Sequence, residues 1–368
     1  MYKLGCTFLS FALLSCLIYG LSSYMPEYLR LKSFIGPIGE LRHHFFIKNK
    51  FHHIPDAVLG WKFKANTKKG KLEFDEYSSR TFGVVDWNSF ENKGLLLGDS
   101  LISGHDRVNN QETINAYLDT ENLKFMNMGI DLFELDQVYL LLKKMTNKFH
   151  FKNIVIAVNS DTGKYLRTSF VPYTKGKHFG SMPYLKPRFY IENGVLKHFK
   201  INLKNYNYLF QDKFVNNLNK VGDKDDLLKY KSYIEDSYAP FDKLLKIKLK
   251  QGSIYDKVKQ VYNSLKYNNN DKSRKLSNAD LLSKLVDKIN VEFGDKVIFL
   301  IIPRQENTVE QIEKRKQLLS ILNKGKSRVI DTSPKFLSQN KNDIFFGDGH
   351  LKPFANKAIS TLIKAQLD

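Results

Sequence analysis

Five short apolar runs, each stopped by turn formers or proline, alternate with helix-length amphipathic stretches. That alternation leaves few folds open to the chain. The first run, Gly94–Leu97, ends at Gly98-Asp99-Ser100, residues that favour turns over strands. Leu123–Met128 ends at Gly129, Asn153–Val158 at Asn159 and Lys296–Ile302 at Pro303, and Arg328–Asp331 is the last and shortest run. Continuous apolar runs such as Gly94–Leu97 and Asn153–Val158 predict strands buried on both faces. Between them, 109–120 reads as a first helix, and Glu134–Phe149 sets Leu135, Val138, Tyr139, Leu142 and Met145 on one helical face. From Ser277 onward, Leu281, Leu282, Leu285, Val286 and Ile289 form another such face, with Ser277 or Asn278 as its cap. Thr308–Leu322 is helical, and Pro353 suits the first turn of a final helix that buries Phe354, Ala358 and Leu362. Strand–helix–strand order predicts a parallel sheet with right-handed crossovers.

The alternation breaks between 162 and about 274, where Tyr, Phe, Lys and Asn dominate. Glu192-Asn193-Gly194 predicts a hairpin turn, and Tyr267–Lys272 reads as an exposed loop or a short disordered segment. The whole stretch reads as an insertion forming a cap or side wall, with its aromatic residues serving as core rather than as a sugar platform.

The N-terminus sets a second bound. Leu4 to Pro26 carries no charged residue and follows Lys3, so residues 1–26 read as a signal anchor, or as a signal peptide cleaved near Ser22-Ser23. Both cysteines, Cys6 and Cys16, lie in this segment, which excludes a disulfide, a zinc–thiolate site or a cysteine nucleophile from the rest of the chain. The formal charge of +20 is spread without a clustered basic tract, so nucleic acid is an unlikely partner. His43, His44, His52 and His53 come in pairs, but adjacent residues on one element do not face one point. No metal is therefore expected.

The chemistry lies at the strand ends. A serine held on a tight turn at the carboxyl end of a buried strand sits where open α/β sheets bind ligands. Its hydroxyl needs a base to become a nucleophile. Near the other end of the chain, Asp348-Gly349-His350 supplies a base in His350 and, in Asp348, an acid to fix its tautomer and stabilise the imidazolium. There is no GxSxG elbow, P-loop or dinucleotide fingerprint, and no cofactor is expected.

Gly98-Asp99-Ser100-Leu101 resembles the GDSL nucleophile block of the SGNH hydrolase superfamily, and Asp348/His350 resemble its C-terminal acid–base block. Asn127-Met128-Gly129 is similar to the block carrying the family's oxyanion-hole glycine, and Asn159-Ser160-Asp161 to the block carrying its oxyanion-hole asparagine. The likeness implies a three-layer α/β/α, flavodoxin-like fold over 89–368, preceded by a connector and lead-in segment at 27–88. It implies an oxyanion hole made by the N–H groups of Ser100 and Gly129 and the amide of Asn159, or Ser160 if the block is slid by one. In this chain one residue separates acid from base, where many family members have two.

These readings lead to a membrane-anchored serine esterase or O-acyltransferase, facing outward from a bacterial cytoplasmic membrane, that acts on acyl or acetyl esters of a cell-envelope glycan. A lipid-directed esterase and a catalytically silent glycan-binding or assembly module are the alternatives.

Overall fold

The computed structural model describes residues 52–81, 83, 85–166, 186–200, 278–304, 308–336 and 338–367. All belong to one compact unit spanning Phe45–Ser169, Tyr184–Asn205 and Leu276–Asp368. The N-terminal apolar segment, the His43-His44 pair, most of the 162–274 insertion and the Tyr267–Lys272 stretch lie outside the described residues. Among the described residues, no helix is long and apolar enough to cross a membrane.

Two antiparallel hairpins come first, β1 (His53–Asp56) with β2 (Gly60–Phe63) and β3 (Thr67–Lys69) with β4 (Leu72–Phe74). The sheet strands are β5 (Lys93–Gly98), β6 (Lys124–Gly129), β7 (Asn153–Val158), β10 (Val297–Ile301) and β11 (Arg328–Asp331). They form one five-stranded parallel sheet in the order β11-β10-β7-β5-β6. Numbered along the chain this is the 2-1-3-4-5 order of doubly wound folds, whose topological switch point lies between the first and third strands, here β5 and β7. Val155, Ile156, Phe299 and Leu300 are fully buried, as strands covered on both faces require. Gly94 lacks a side chain for a packing reason: a Cβ there would lie 2.4 Å from the Phe125 ring on the neighbouring strand.

Helices flank the sheet. The short α1 (Ser100–Ser103) follows β5, then come α2 (Ile114–Leu118) and α3 (Leu135–Thr146). β8 (Arg188–Glu192) and β9 (Val195–Phe199) form the expected hairpin, with Asn193 (φ 52°) and Gly194 (φ 77°) both left-handed in its turn. α4 (Asn278–Phe293), α5 (Val309–Leu322), α6 (Ser333–Phe336), α7 (Lys341–Ile344) and α8 (Pro353–Lys364) complete the unit. Leu96, Val155 and Ile298 share one core cluster with Ile114 and Leu118 of α2 and with Ile359 and Ile363 of α8. Strand side chains alternate between faces, so their neighbours Leu95, Leu97, Ile154, Ile156 and Phe299 turn to the other side.

Two sequence expectations need correction. The helix expected over 109–120 is a 3-10 turn (Asn110–Glu112) and α2, separated by Thr113 in an extended conformation. The Asn110 side chain is drawn away from the helix, accepting from Arg80 Nε at 2.8 Å and donating to the Thr81 carbonyl at 2.7 Å. On α8, Phe354 is 55% exposed, and the buried face is Ala355, Asn356, Ile359, Ser360 and Ile363. The buried stripe includes polar residues because they bond the chain they pack on: Asn356 Nδ2 donates to the Glu112 carbonyl and Ser360 Oγ to that of Ile114, both at 2.9 Å. Pro353 does occupy the first turn.

Candidate active site

Ser100 opens α1 directly after β5. Asp99 caps that helix, its Oδ1 accepting the Leu101 N–H at 2.9 Å, and Gly104 ends it in the left-handed region at φ 71°. The Ser100 carbonyl accepts the Gly104 N–H at 3.0 Å. Its own N–H has no partner among the described residues.

Asp348 and His350 lie on the loop between α7 and α8. That loop is pinned by the Phe345–Leu351 bridge, by the Phe346 N–H donating to the His350 carbonyl and by the Lys352 N–H donating to that of Ile344, both at 2.8 Å. Gly349, at φ 85°, makes the turn that lets a single residue separate acid from base, since few side chains adopt that conformation. Asp348 Oδ1 lies 3.1 Å from His350 Nδ1, out of line for a hydrogen bond, and accepts the His350 N–H at 3.3 Å. The other oxygen accepts from Arg107 Nε at 2.6 Å. Burial alone would raise the Asp348 carboxyl, but the bonds from Arg107 and His350 outweigh it and hold the pKa at about 2. His350 Nε2 is buried without a hydrogen-bond partner.

The two chain ends meet at the carboxyl edge of the sheet. The His350 ring stacks on His105 with centroids 4.9 Å apart, and His105 N–H donates to Ser103 Oγ on α1 at 3.2 Å. The Asp99 carboxyl is pushed up by burial and pulled back by the Leu101 N–H and by the charges of Arg304 and His350. His105 itself lies in a loop, at φ 46°.

The three donors expected at the oxyanion position are in unequal states. The Ser100 N–H is free, as noted. Asn159 Nδ2 donates to Asp99 Oδ2 at 3.3 Å, which leaves its second hydrogen, while Asn159 Oδ1 accepts the Asp161 N–H at 2.9 Å. The Gly129 N–H is engaged by Asn127 Oδ1 at 3.1 Å. What demands glycine at 129 is contact: a Cβ there would lie 2.4 Å from the backbone nitrogen of Ser103. Ser160 Oγ is buried and unpaired. Leu132, in the turn after β6, is left-handed at φ 64°, and its N–H has no partner among the described residues. Its neighbour Phe133 lines a narrow crevice with Gly98, Asp99 and Asn159. Sequence reasoning passed over Leu132, because a non-glycine at positive φ gives no compositional signal.

A second cluster lies beside the site. Asp131 Oδ2 is 3.4 Å from His53 Nε2 and 3.7 Å from His105 Nε2, and Oδ1 accepts from Ser103 Oγ at 3.2 Å. The rings of His52 and His53 are 4.5 Å apart, and ligand atoms of His52, His53 and Asp131 lie within 4.8 Å of one another. The argument that adjacent histidines diverge therefore does not hold here. His52 precedes β1, so strand alternation does not govern its direction. Two imidazoles and a carboxylate are a donor set suited to zinc, and these are the residues that would hold such an ion. Burial pushes His53 down to about 3 against the pull of Asp131, so its ring is neutral.

The scaffold under the site comes largely from the segment read as a connector. Arg80 is fully buried and donates to the carbonyls of Ser103, His105, Lys71 and Val108. It thereby ties down the loop that carries His105 and Arg107. Trp61 Nε1 donates to the Asp131 carbonyl at 3.0 Å, and Gln137 Nε2 to that of Leu59 at 2.7 Å, fastening the first hairpin to the β6–α3 connection. No protein-family model matches the chain, and no curated protein matches it in sequence.

Proposed function

We propose that this chain is a serine esterase or O-acyltransferase of the SGNH hydrolase type, anchored through its N-terminal segment and acting on acyl or acetyl esters of a cell-envelope glycan. The observation that carries the reading is the unpartnered, buried Nε2 of His350 at the sheet edge where Ser100 opens α1, with Asp348 against the opposite nitrogen. In the reaction His350 takes the Ser100 proton as the hydroxyl attacks the ester carbonyl. Asp348, ionised at neutral pH, stabilises the imidazolium, and the proton passes to the leaving alcohol. The oxyanion is met by the Ser100 N–H and the Asn159 amide, with the Leu132 N–H as a third donor in place of the one Gly129 gives to Asn127. Water or a sugar hydroxyl then resolves the acyl-serine.

Two observations favour a silent glycan-binding module instead: Asn159 already donates to Asp99 and Asp348 is clasped by Arg107, so neither is poised for turnover as it stands. Labelling by a fluorophosphonate probe separates the two readings. Labelling is expected in the full-length chain, abolished by Ser100→Ala or His350→Ala and only reduced by Asp348→Asn. Undiminished labelling of Ser100→Ala sinks the assignment of the nucleophile.

A further inference from the structure

Beyond the catalytic edge, a cleft of about 650 Å³, counting its open mouth, lies over the carboxyl ends of β7 and β10. Among the described residues, the charged groups of its lining are Arg304, Arg315 and Lys341. Five polar atoms of the lining are buried with no hydrogen-bond partner: Ser160 Oγ, Gln311 Oε1, Arg315 Nε, Ser333 Oγ and Gln339 Oε1. Ser333 is only 4% exposed. Each such orphan weakens the fold, so a group of them at one concavity is not maintained for stability. Such a set is what a hydroxyl-rich ligand would satisfy.

The charges point the same way. Arg304 Nη2 meets Asp161 Oδ2 at 3.1 Å, and Arg315 Nε stands 3.9 Å from Asp331 Oδ2. Both carboxylates lie outside the lining, and each guanidinium keeps further N–H donors for a second anion. The exposed Lys341 adds a third positive charge. The cleft is also continuous with the catalytic edge. Ser160 follows Asn159, whose amide reaches Asp99, and Ile344 and Phe345 line the cleft while pinning the loop that carries His350.

We infer that this cleft holds an anionic group, a carboxylate or a phosphate, carried on a hydroxyl-rich chain, so that the glycan presented to Ser100 is an acidic one. The inference rests on the proposed function for its link to Ser100, but the binding itself does not depend on catalysis. The overall charge of +20 would steer such a polymer toward the protein.

The test is calorimetric titration of the full-length Ser100→Ala protein with an oligogalacturonate, a poly(glycerol phosphate) oligomer and a neutral glucan oligomer of equal length. Binding of at least one anionic oligomer is expected. It should be at least tenfold tighter than the glucan, weakened by added salt, and reduced about tenfold by Arg315→Gln and severalfold by Lys341→Gln. Whichever anionic oligomer binds identifies the charged group as carboxylate or phosphate. Equal binding of all three, no binding of either anionic oligomer, or tight binding indifferent to both charge substitutions in folded protein each overturns the inference. Absence of binding, with the unaltered chain labelled by the fluorophosphonate, removes the cleft assignment alone. Anionic binding in a chain whose Ser100 never labels removes the esterase reading and leaves the cleft.

Discussion

Replacing Gly129 by alanine separates two explanations for that glycine. If its value lay in the N–H alone, alanine would retain the donor and change little. The structure gives another reason. The added Cβ would lie 2.4 Å from the Ser103 nitrogen, 2.7 Å from Ile102 Cγ2 and 2.8 Å from Ile102 Cβ. The closest of these is about 1 Å short of ordinary van der Waals contact at 3.4 Å, and it is backbone, so no rotamer change relieves it. Either β6 or α1 must move by roughly that amount. Overpacking of this kind costs about 1–3 kcal/mol. At roughly 2–4 °C per kcal/mol for a domain of this size, Tm should fall by several degrees. Because α1 begins with Ser100, a displacement near 1 Å should also cut kcat/KM on a generic acetyl ester by on the order of a hundredfold. Differential scanning fluorimetry and the initial rate of ester hydrolysis read the two effects. Adding Ile102→Ala should not restore either, since the Ser103 nitrogen remains in place. A Gly129→Ala protein with wild-type Tm and rate would refute the packing account.

Lys186 and Asp136 form a fully buried ion pair, so Lys186→Met should destabilise the fold by about 3–5 kcal/mol by leaving Asp136 uncompensated. Denaturant titration should show that the double change with Asp136→Leu recovers most of that loss, and no recovery would contradict the pairing. His53, whose pKa is lowered from 6.5 to about 3 by burial, binds its proton in the unfolded chain first. Stability should therefore rise with pH between these values and fall, by up to about 1.4 kcal/mol per pH unit, as pH drops below 6.5. Between pH 7 and 4, His53→Phe should flatten the dependence of Tm on pH. An unchanged slope would show that His53 does not carry it.

The sheet was legible because its central strands are nearly continuous apolar runs, and such runs have few alternatives once the ends carry turn formers. Asn153–Val158 and Arg328–Asp331 match the expected bounds. Lys124–Gly129 and Val297–Ile301 are shifted by a residue at their edges. Helix faces were legible where burial is purely apolar, as on α4, whose Leu281, Leu282, Leu285, Val286 and Ile289 are all buried. They failed where burial is mixed. On α8 the inward residues include Asn356 and Ser360, which a hydrophobic pattern discards, and the apparent stripe slides to Phe354. The break at Thr113 was hidden for a related reason, since its cause is the hold that Arg80 and Thr81 have on the Asn110 side chain, from some thirty residues away.

The candidate site shows the same division between the residues proposed to react and the residues that hold them. Ser100 and His350 were visible because a serine ending a buried strand, and a histidine before a helix, are local patterns. Their supports are not local. Arg80 acts through backbone carbonyls, which leave no residue-type pattern, and Asp131 meets His53 only after the first hairpin folds onto β6. Asp348 shows how far a motif can be read. The single-residue spacing is made possible by Gly349 at φ 85°, but the carboxylate is then shared. Its shortest bond, 2.6 Å, goes to Arg107, while its approach to His350 Nδ1 is longer and out of line. An acid held in that way orients the imidazole weakly through its side chain. The ring also stacks on His105, and the Phe345–Leu351 bridge holds the loop that carries it. On the proposed reading, removing the Asp348 charge should therefore reduce fluorophosphonate labelling of Ser100 without abolishing it, whereas His350→Ala should abolish it.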